Sequence, residues 1–381
     1  MGNYKMVAKT FAGLEPVLAK ELRNLGAGDI KQGVRSLTFY GDKGFMYKAN
    51  LALRTALRIL KPIAEFKADS EDAFYRKIYA IDWGKYISAD DSFALDATVH
   101  SDKFRHSKYA VLKAKDAIVD AFRNRTGRRP NIDLDKPTLR INLRIHRNQC
   151  TVSLDSSGHS LHYRGYRTAT GQAPINEVLA AGLLLHSGWE GRTDFLDPMC
   201  GSGTILIEAA MIACRIPPNI NVESFGFQRW KDFDPDLFEV IRDAQLQKLR
   251  SFDHKIVGYD KSPEAIVQAQ ENIANANLSE FITVERNDFF TSSKYTENHL
   301  HILFNPPYDE RLKVDVPEFY GKIGDTLKQH YPGSQAWFIT SDKTAMKNVG
   351  LRASRKIKVF NGPLEARLLK FQIYSGSKKK R

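Results

Sequence analysis

The sequence predicts an α/β protein, with an open and largely parallel sheet in its carboxyl half preceded by smaller α+β units. Three observations predict it. Residues 192–196 run through Asp197-Pro198-Met199-Cys200-Gly201-Ser202-Gly203-Thr204 into an amphipathic segment over 205–214, which is the strand, glycine turn and helix of a nucleotide-binding unit. Residues 255–259 and 300–304 are short apolar runs that stop at a polar residue, as strands buried on both faces do. In the first 155 residues, strand-like and helix-like segments alternate.

The elements follow in order. A strand over 4–9, a helix over 14–25, strands over 30–34 and 36–40 and a helix over 43–53 give a ferredoxin-like α+β unit assigned to residues 1–56. A strand over 58–68, a helix from Glu71, a strand over 92–100, a helix over 108–125 and strands over 138–146 and 149–155 make a second unit, assigned to 57–160. The polar, glycine-containing run 155–167 leads into the third, 161–381. Within it, 216–254 reads as an inserted loop and helix with Pro217-Pro218 and the aromatics Phe225, Phe227, Trp230 and Phe233, expected to border the substrate cleft.

At 381 residues the chain is long for one core, and 42% hydrophobic with 27% charged residues is an ordinary globular composition. A net charge of +13 points to a polyanionic partner. Positive charge concentrates over 102–147, where thirteen Lys and Arg face five Asp and no Glu. Lys103, Arg105, Lys108, Lys113, Lys115, Arg128 and Arg129 are the expected phosphate contacts of an RNA-binding face. With few aromatics among them, they should grip backbone rather than read bases. Residues 1–10 lack the apolar core of a secretory signal, and no apolar run approaches the ~20 residues of a membrane helix. Cys150, Cys200 and Cys214 have neither metal-ligand nor disulfide spacing, so the expectation is a cytoplasmic protein with no metal and no membrane partner.

The chemistry is carried by Asn305-Pro306-Pro307-Tyr308, which ends the run 300–304. Two prolines cannot continue a sheet, so the Asn305 side chain and the Pro306 carbonyl are held at the strand's carboxyl end, where open α/β sheets bind ligands. Two acceptors side by side suit a planar amino group, and Tyr308 offers a ring on which a base can stack. At the glycine turn, a third glycine for a dinucleotide would fall at Leu206, and no Gly-Lys-Ser/Thr follows. A ligand without phosphates and with a cationic amino-acid tail remains; S-adenosylmethionine has that form, with Asp197 beside its ammonium. Asp260, followed by Lys261, ends the next strand and can accept ribose hydroxyls. Asn287-Asp288-Phe289-Phe290 puts Asp288 at the adenine edge and Phe289 against its face. The long interval between Gly203 and Asp260, against ~20 residues in a dinucleotide fold, makes Asp260 the weaker of the acidic assignments.

These residues resemble class I S-adenosylmethionine-dependent methyltransferases of the amino-methylating group, a Rossmann-like fold. More closely, the chain resembles bacterial THUMP-containing 23S rRNA guanine-N2 methyltransferases. That likeness rests on Asp197 to Thr204, Gly258-Tyr259-Asp260, Asn287-Asp288 and Asn305 to Tyr308. It extends to Arg164-Gly165-Tyr166-Arg167 with Ala173-Pro174-Ile175-Asn176-Glu177, and to Gly362-Pro363-Leu364-Glu365-Ala366-Arg367 as a closing hairpin. The resemblance implies that the second unit is a THUMP domain, that Gln172 and Asn176 lie over the cofactor, and that the substrate is a guanine N2 of large-subunit rRNA. The same clamp serves guanine N2 in tRNA, adenine N6 and protein glutamine, and a noncatalytic RNA-binding assembly factor could retain the fold.

Overall fold

The computed structural model describes residues 2–104, 106–167, 174–307, 315–342 and 344–374. The front half contains β1 (Tyr4–Lys9), α1 (Glu15–Leu25), β2 (Gly28–Gly33), β3 (Ser36–Gly41), α2 (Lys43–Ala52), β4 (Arg58–Lys67), α3 (Glu71–Tyr79), β5 (Ser92–His100), α4 (Ser107–Thr126), β6 (Asn131–Ile132), β7 (Leu139–His146) and β8 (Gln149–Asp155). Local chemistry sets the helix ends. Asp42 and Ser70 cap α2 and α3 by accepting the amides of Phe45 and Ala73 at 2.7 and 3.1 Å.

The two expected front units share one eight-stranded sheet, ordered β2-β3-β1-β4-β8-β7-β5-β6. The joint is β4: Arg58, Ile59 and Leu60 pair with Lys9, Ala8 and Val7 of β1, and from Leu60 onward the strand pairs with β8. One apolar core runs beneath both, from Met6 and Leu18 to Ile118 and Val152.

The carboxyl half contains α5 (Glu177–Ser187), β9 (Asp194–Asp197), α6 (Thr204–Ala213), α7 (Pro235–Leu246), β10 (Ile256–Asp260), α8 (Pro263–Asn275), β11 (Ile282–Arg286), β12 (Leu300–Phe304), α9 (Val316–His330), β13 (Gln335–Thr340), α10 (Ala345–Asn348), β14 (Arg355–Asn361) and β15 (Leu364–Gln372). Its sheet is ordered β11-β10-β9-β12-β13-β15-β14, parallel from β11 to β13 and closed by an antiparallel hairpin. Residues from α5, α6 and α8 fill one face and those from α9 the other, so β12 is buried throughout and α6 along its whole length. No helix among the described residues is long and apolar enough to cross a membrane.

The aromatics of the inserted stretch pack into the front half's core, where the sequence expectation set them beside the cleft. Phe225, Phe227, Trp230 and Phe238 join the core of the front half, with Phe233 packed against it. Phe227 stacks on Tyr47 at 4.4 Å between centroids, and the Asp234 amide donates to Tyr47 Oη at 3.1 Å. Beside it lies a buried polar seam. Arg164 pairs with Glu208 at 3.2 Å and donates to the Asn219 Oδ1 and the Arg54 carbonyl at 2.9 and 2.7 Å. Arg54 in turn donates to the carbonyls of Met211 and Ile216 at 2.9 and 2.6 Å. The aromatics are therefore a clamp between halves.

Candidate active site

The parallel strands bring the sequence-predicted residues to one edge. Leu196 of β9 pairs with Val257 of β10 on one side and Ile302 of β12 on the other, so Asp197, Asp260 and Asn305 leave the carboxyl ends of three adjacent strands. The Asn287-Asp288 pair follows β11, which lies beside β10. The strand order reverses between β9 and β12, and a crevice opens where that happens.

The glycine bend is held from several sides. Cys200 N–H donates to the Tyr259 carbonyl at 2.8 Å, Gly201 N–H to Asp260 Oδ2 at 3.0 Å, and Asn272 Nδ2 to the Ser202 carbonyl at 3.0 Å. Gly201 has φ of +51°, and a Cβ there would meet nothing within 4 Å, which leaves space against the backbone for a ligand. Gly258 answers a different need: a Cβ on it would lie 2.3 Å from Leu206 Cδ1. Pro198 is buried, while Met199 and Ser202 remain partly open. The Cys200 thiol is buried, and its pKa is pushed well above the usual thiol range by burial and by Asp197 and Asp260. This suits packing rather than nucleophilic attack.

Asp197 is 1% exposed, accepts the Met199 amide at 3.1 Å, and has no ion pair among the described residues. Burial first, and Asp260 second, push its carboxyl well above the usual range. A buried carboxylate without a cation fits an ammonium ligand. Asp260 is already engaged at both oxygens, by the amides of Gly201 and Ser262 at 3.0 and 2.9 Å, so it shapes the bend while keeping lone pairs for ribose hydroxyls. Lys261 is exposed, and its carbonyl accepts from Arg286 Nε at 3.4 Å.

At the clamp, Pro306 is buried and Pro307 exposed. Asn305 Oδ1 is buried with no hydrogen-bond partner among the described residues. Tyr308 and Gln172 lie outside the described residues, as does Arg105 of the basic face. Asp288 is exposed and caps the next turn by accepting the Phe290 amide at 3.0 Å. Phe289 requires a correction. Its side chain is buried against Phe290, Phe304 and Tyr331, so its ring belongs to the core and only its backbone is left for an adenine. Asn176 serves first as the cap of α5, accepting the amides of Val178 and Leu179 at 3.0 and 3.4 Å.

A bridge assigned no role by the sequence reading joins this helix to the bend. Arg167 pairs with Glu177 at 2.8 Å and donates to Thr204 Oγ1 at 3.0 Å. Arg167 and Glu177 are the last residues of two stretches that carried the family likeness, and that was the available signal.

The basic face is less open than its sequence window suggests. Lys103 pairs with Asp69 at 3.2 Å, Lys113 with Asp72 at 3.6 Å, Lys115 with Asp116 at 3.2 Å, and Arg128 with Asp90. Lys108 and Arg129 are exposed and make no ion pair among the described residues. Exposed pairs of this kind are weak, and phosphate can compete for the cations.

A seven-stranded sheet of this order, with a glycine bend and the Asn305-Pro306-Pro307 strand end at its switch point, is the class I S-adenosylmethionine-dependent methyltransferase architecture. Residues 164–370 match the RMKL-like methyltransferase domain, 68–155 the THUMP domain and 5–60 the RlmL ferredoxin-like domain. The chain belongs to the RMKL-like methyltransferase family. It is 39% identical over 385 residues to the ribosomal RNA large subunit methyltransferase K/L of Syntrophotalea carbinolica, an alignment covering 97% of this chain and 53% of that protein. The chain thus spans about half the length of that relative. It is 37% identical to slr0064, a candidate RNA methyltransferase of Synechocystis sp., over 95% of both chains. A solved structure of SMU.472, a methyltransferase candidate in complex with SAH, superposes with a TM-score of 0.88 at 30% identity, covering 99% of this chain and 100% of that one.

Proposed function

We propose that the chain transfers a methyl group from S-adenosylmethionine to the exocyclic N2 amine of a guanine in 23S rRNA, in the cytoplasm. The observation that carries this reading is the Asn305 Oδ1, buried and without a hydrogen-bond partner among the described residues, at the carboxyl end of β12, one strand from the glycine bend. Leaving such an acceptor unsatisfied costs about 1–3 kcal/mol, which a native fold retains where a ligand completes it. The front-half THUMP match and the large-subunit rRNA methyltransferase to which the chain is similar support large-subunit rRNA as substrate.

The cofactor supplies an electrophilic methyl on a sulfonium. Asn305 Oδ1 and the Pro306 carbonyl accept the two N–H groups of the amine and leave its lone pair facing the bend. Asp197 offers its buried carboxylate to the ammonium of the amino-acid tail, and Asp260 accepts ribose hydroxyls. No strong base is needed before attack, because the nitrogen becomes acidic once methylated, so positioning and electrostatics carry the catalysis. A stacked base cannot reach this edge and must be unpaired or flipped, at a cost of a few kcal/mol.

Two measurements test this. Tritiated methyl donor with total RNA from a deletion strain, followed by nucleoside mass spectrometry, is expected to give N2-methylguanosine in 23S rRNA; N6-methyladenosine or label in tRNA overturns the assignment. Asn305→Ala is expected to lower turnover at least ~100-fold, the scale of one lost transition-state contact, with donor affinity retained. Near-native turnover removes the clamp.

A further inference from the structure

The linker between the THUMP domain and the catalytic half carries an aromatic feature that the proposed reaction does not use. The rings of His162 and Tyr163 lie 3.9 Å apart between centroids, and Tyr163 is 61% exposed. The amide of Tyr163 donates to the Ser160 carbonyl at 3.1 Å, and His162 Nδ1 sits 2.8 Å from Ser160 Oγ, so a tight turn presents the pair. Burial, followed by the charges of Arg164, Arg167, His159 and Arg58, lowers the His162 pKa to about 4, leaving the ring neutral near pH 7. The pair borders a cavity of about 370 Å³ whose other walls include Tyr166, Arg167, Pro174 and Asn176. That volume falls in the range of small-molecule sites. Tyr166 Oη is buried there with no partner among the described residues. Arg167 ties the cavity to the glycine bend through Thr204.

We infer that the His162–Tyr163 pair and its cavity form a subsite for an unpaired nucleobase of the RNA near the methylated one, with the base stacked on Tyr163. The inference rests on the RNA reading above and deepens it. An exposed aromatic ring suits an unpaired base, because every base has a face to stack on it. Position adds to this. The turn lies on the segment connecting the THUMP match to the methyltransferase-domain match. A flipped target leaves its neighbours without a stacking partner, and an aromatic shelf replaces the one they lose.

The test uses the full chain and a pool of single-stranded RNA oligonucleotides containing 5-iodouridine. Irradiation and peptide mapping are expected to place a crosslink on Tyr163 or His162. Tyr163→Ala is expected to weaken binding of the same pool about 5- to 100-fold, the range of a lost base stack, whereas Tyr163→Phe retains it and donor affinity by calorimetry stays unchanged. Crosslinks elsewhere with unchanged RNA affinity overturn the subsite while leaving the methyltransferase reading intact. Weakened donor affinity with unchanged RNA affinity assigns the cavity to the cofactor and also overturns it. A wild-type chain that binds no RNA in the pool and methylates none removes the RNA reading, and the subsite with it.

Discussion

Two buried polar regions, made of the same residue types, are completed in opposite ways. In the seam between halves, Asn50 donates to the Met46 carbonyl and Ser156 Oγ, both at 2.9 Å, and accepts from Ser157 Oγ at 2.7 Å. At the catalytic rim, Asn305 Oδ1 has no partner among the described residues. Asp155 in the seam pairs with Arg58 and accepts the amides of Ser157 and Gly158 at 3.0 and 3.2 Å, while among the described residues Asp197 at the rim has a single backbone donor and no cation. The seam is closed by the chain except at Arg54 Nη1 and Glu208 Oε2, which have no hydrogen-bond partner among the described residues, whereas at the rim the proposed ligands would supply the missing partners. For Asn50 against Asn305 and Asp155 against Asp197, satisfaction of hydrogen bonds separates residues of the same type.

The largest expected effect breaks the seam. Arg164→Met leaves Glu208 buried and unpaired, and should destabilise by about 3–5 kcal/mol, read as a lowered denaturant midpoint. An unchanged midpoint would mean that the halves do not depend on this pair. Next comes the same substitution at both acids. Asp155→Asn strands Arg58 and should cost about 1–3 kcal/mol with donor affinity unchanged. Asp197→Asn should weaken donor binding while leaving stability equal or higher, since burial disfavours the carboxylate it replaces. Calorimetry and denaturation on both variants should give opposite patterns, and matching patterns would dissolve the contrast.

The rim was legible because its signals are local: a strand end beside two prolines, a glycine pair, an acid after a strand. The seam was not, because Arg54 and Ile216, Arg164 and Asn219, or Tyr47 and Phe227 are far apart in sequence and mark no periodicity. The insertion's aromatics were visible as a set, but nothing local told a clamp from a cleft wall. In Phe289-Phe290 both residues are aromatic within a single short turn, so no alternation revealed which ring faced inward.

His301 sharpens the contrast from below the rim. It lies within β12, 2.9 Å from Ser187 Oγ, and burial lowers its pKa to about 3. The folded state thus keeps this ring neutral where the unfolded chain protonates it. Its contribution is complete above about pH 6.5 and is lost as pH falls toward 3, at ~1.4 kcal/mol per unit. His301→Gln should flatten the acid limb of stability against pH; an unaltered limb would assign the acid sensitivity to other groups.

The smallest effect concerns the basic face, where a count confined to residues 102–147 missed acids that folding brings alongside: Asp69, Asp72 and Asp90 come from earlier in the chain. These exposed pairs are worth at most about 1 kcal/mol each, so breaking one should barely move stability. It should still change RNA binding, because a cation released from its carboxylate meets phosphate without first giving up a partner. Asp90→Asn, which frees Arg128, is expected to tighten RNA binding and steepen its salt dependence by roughly 0.7, one counterion on a single strand. If affinity rises with no change in slope, Arg128 does not touch phosphate, and RNA contact passes to Lys108 and Arg129, the members of the predicted set without an ion pair among the described residues.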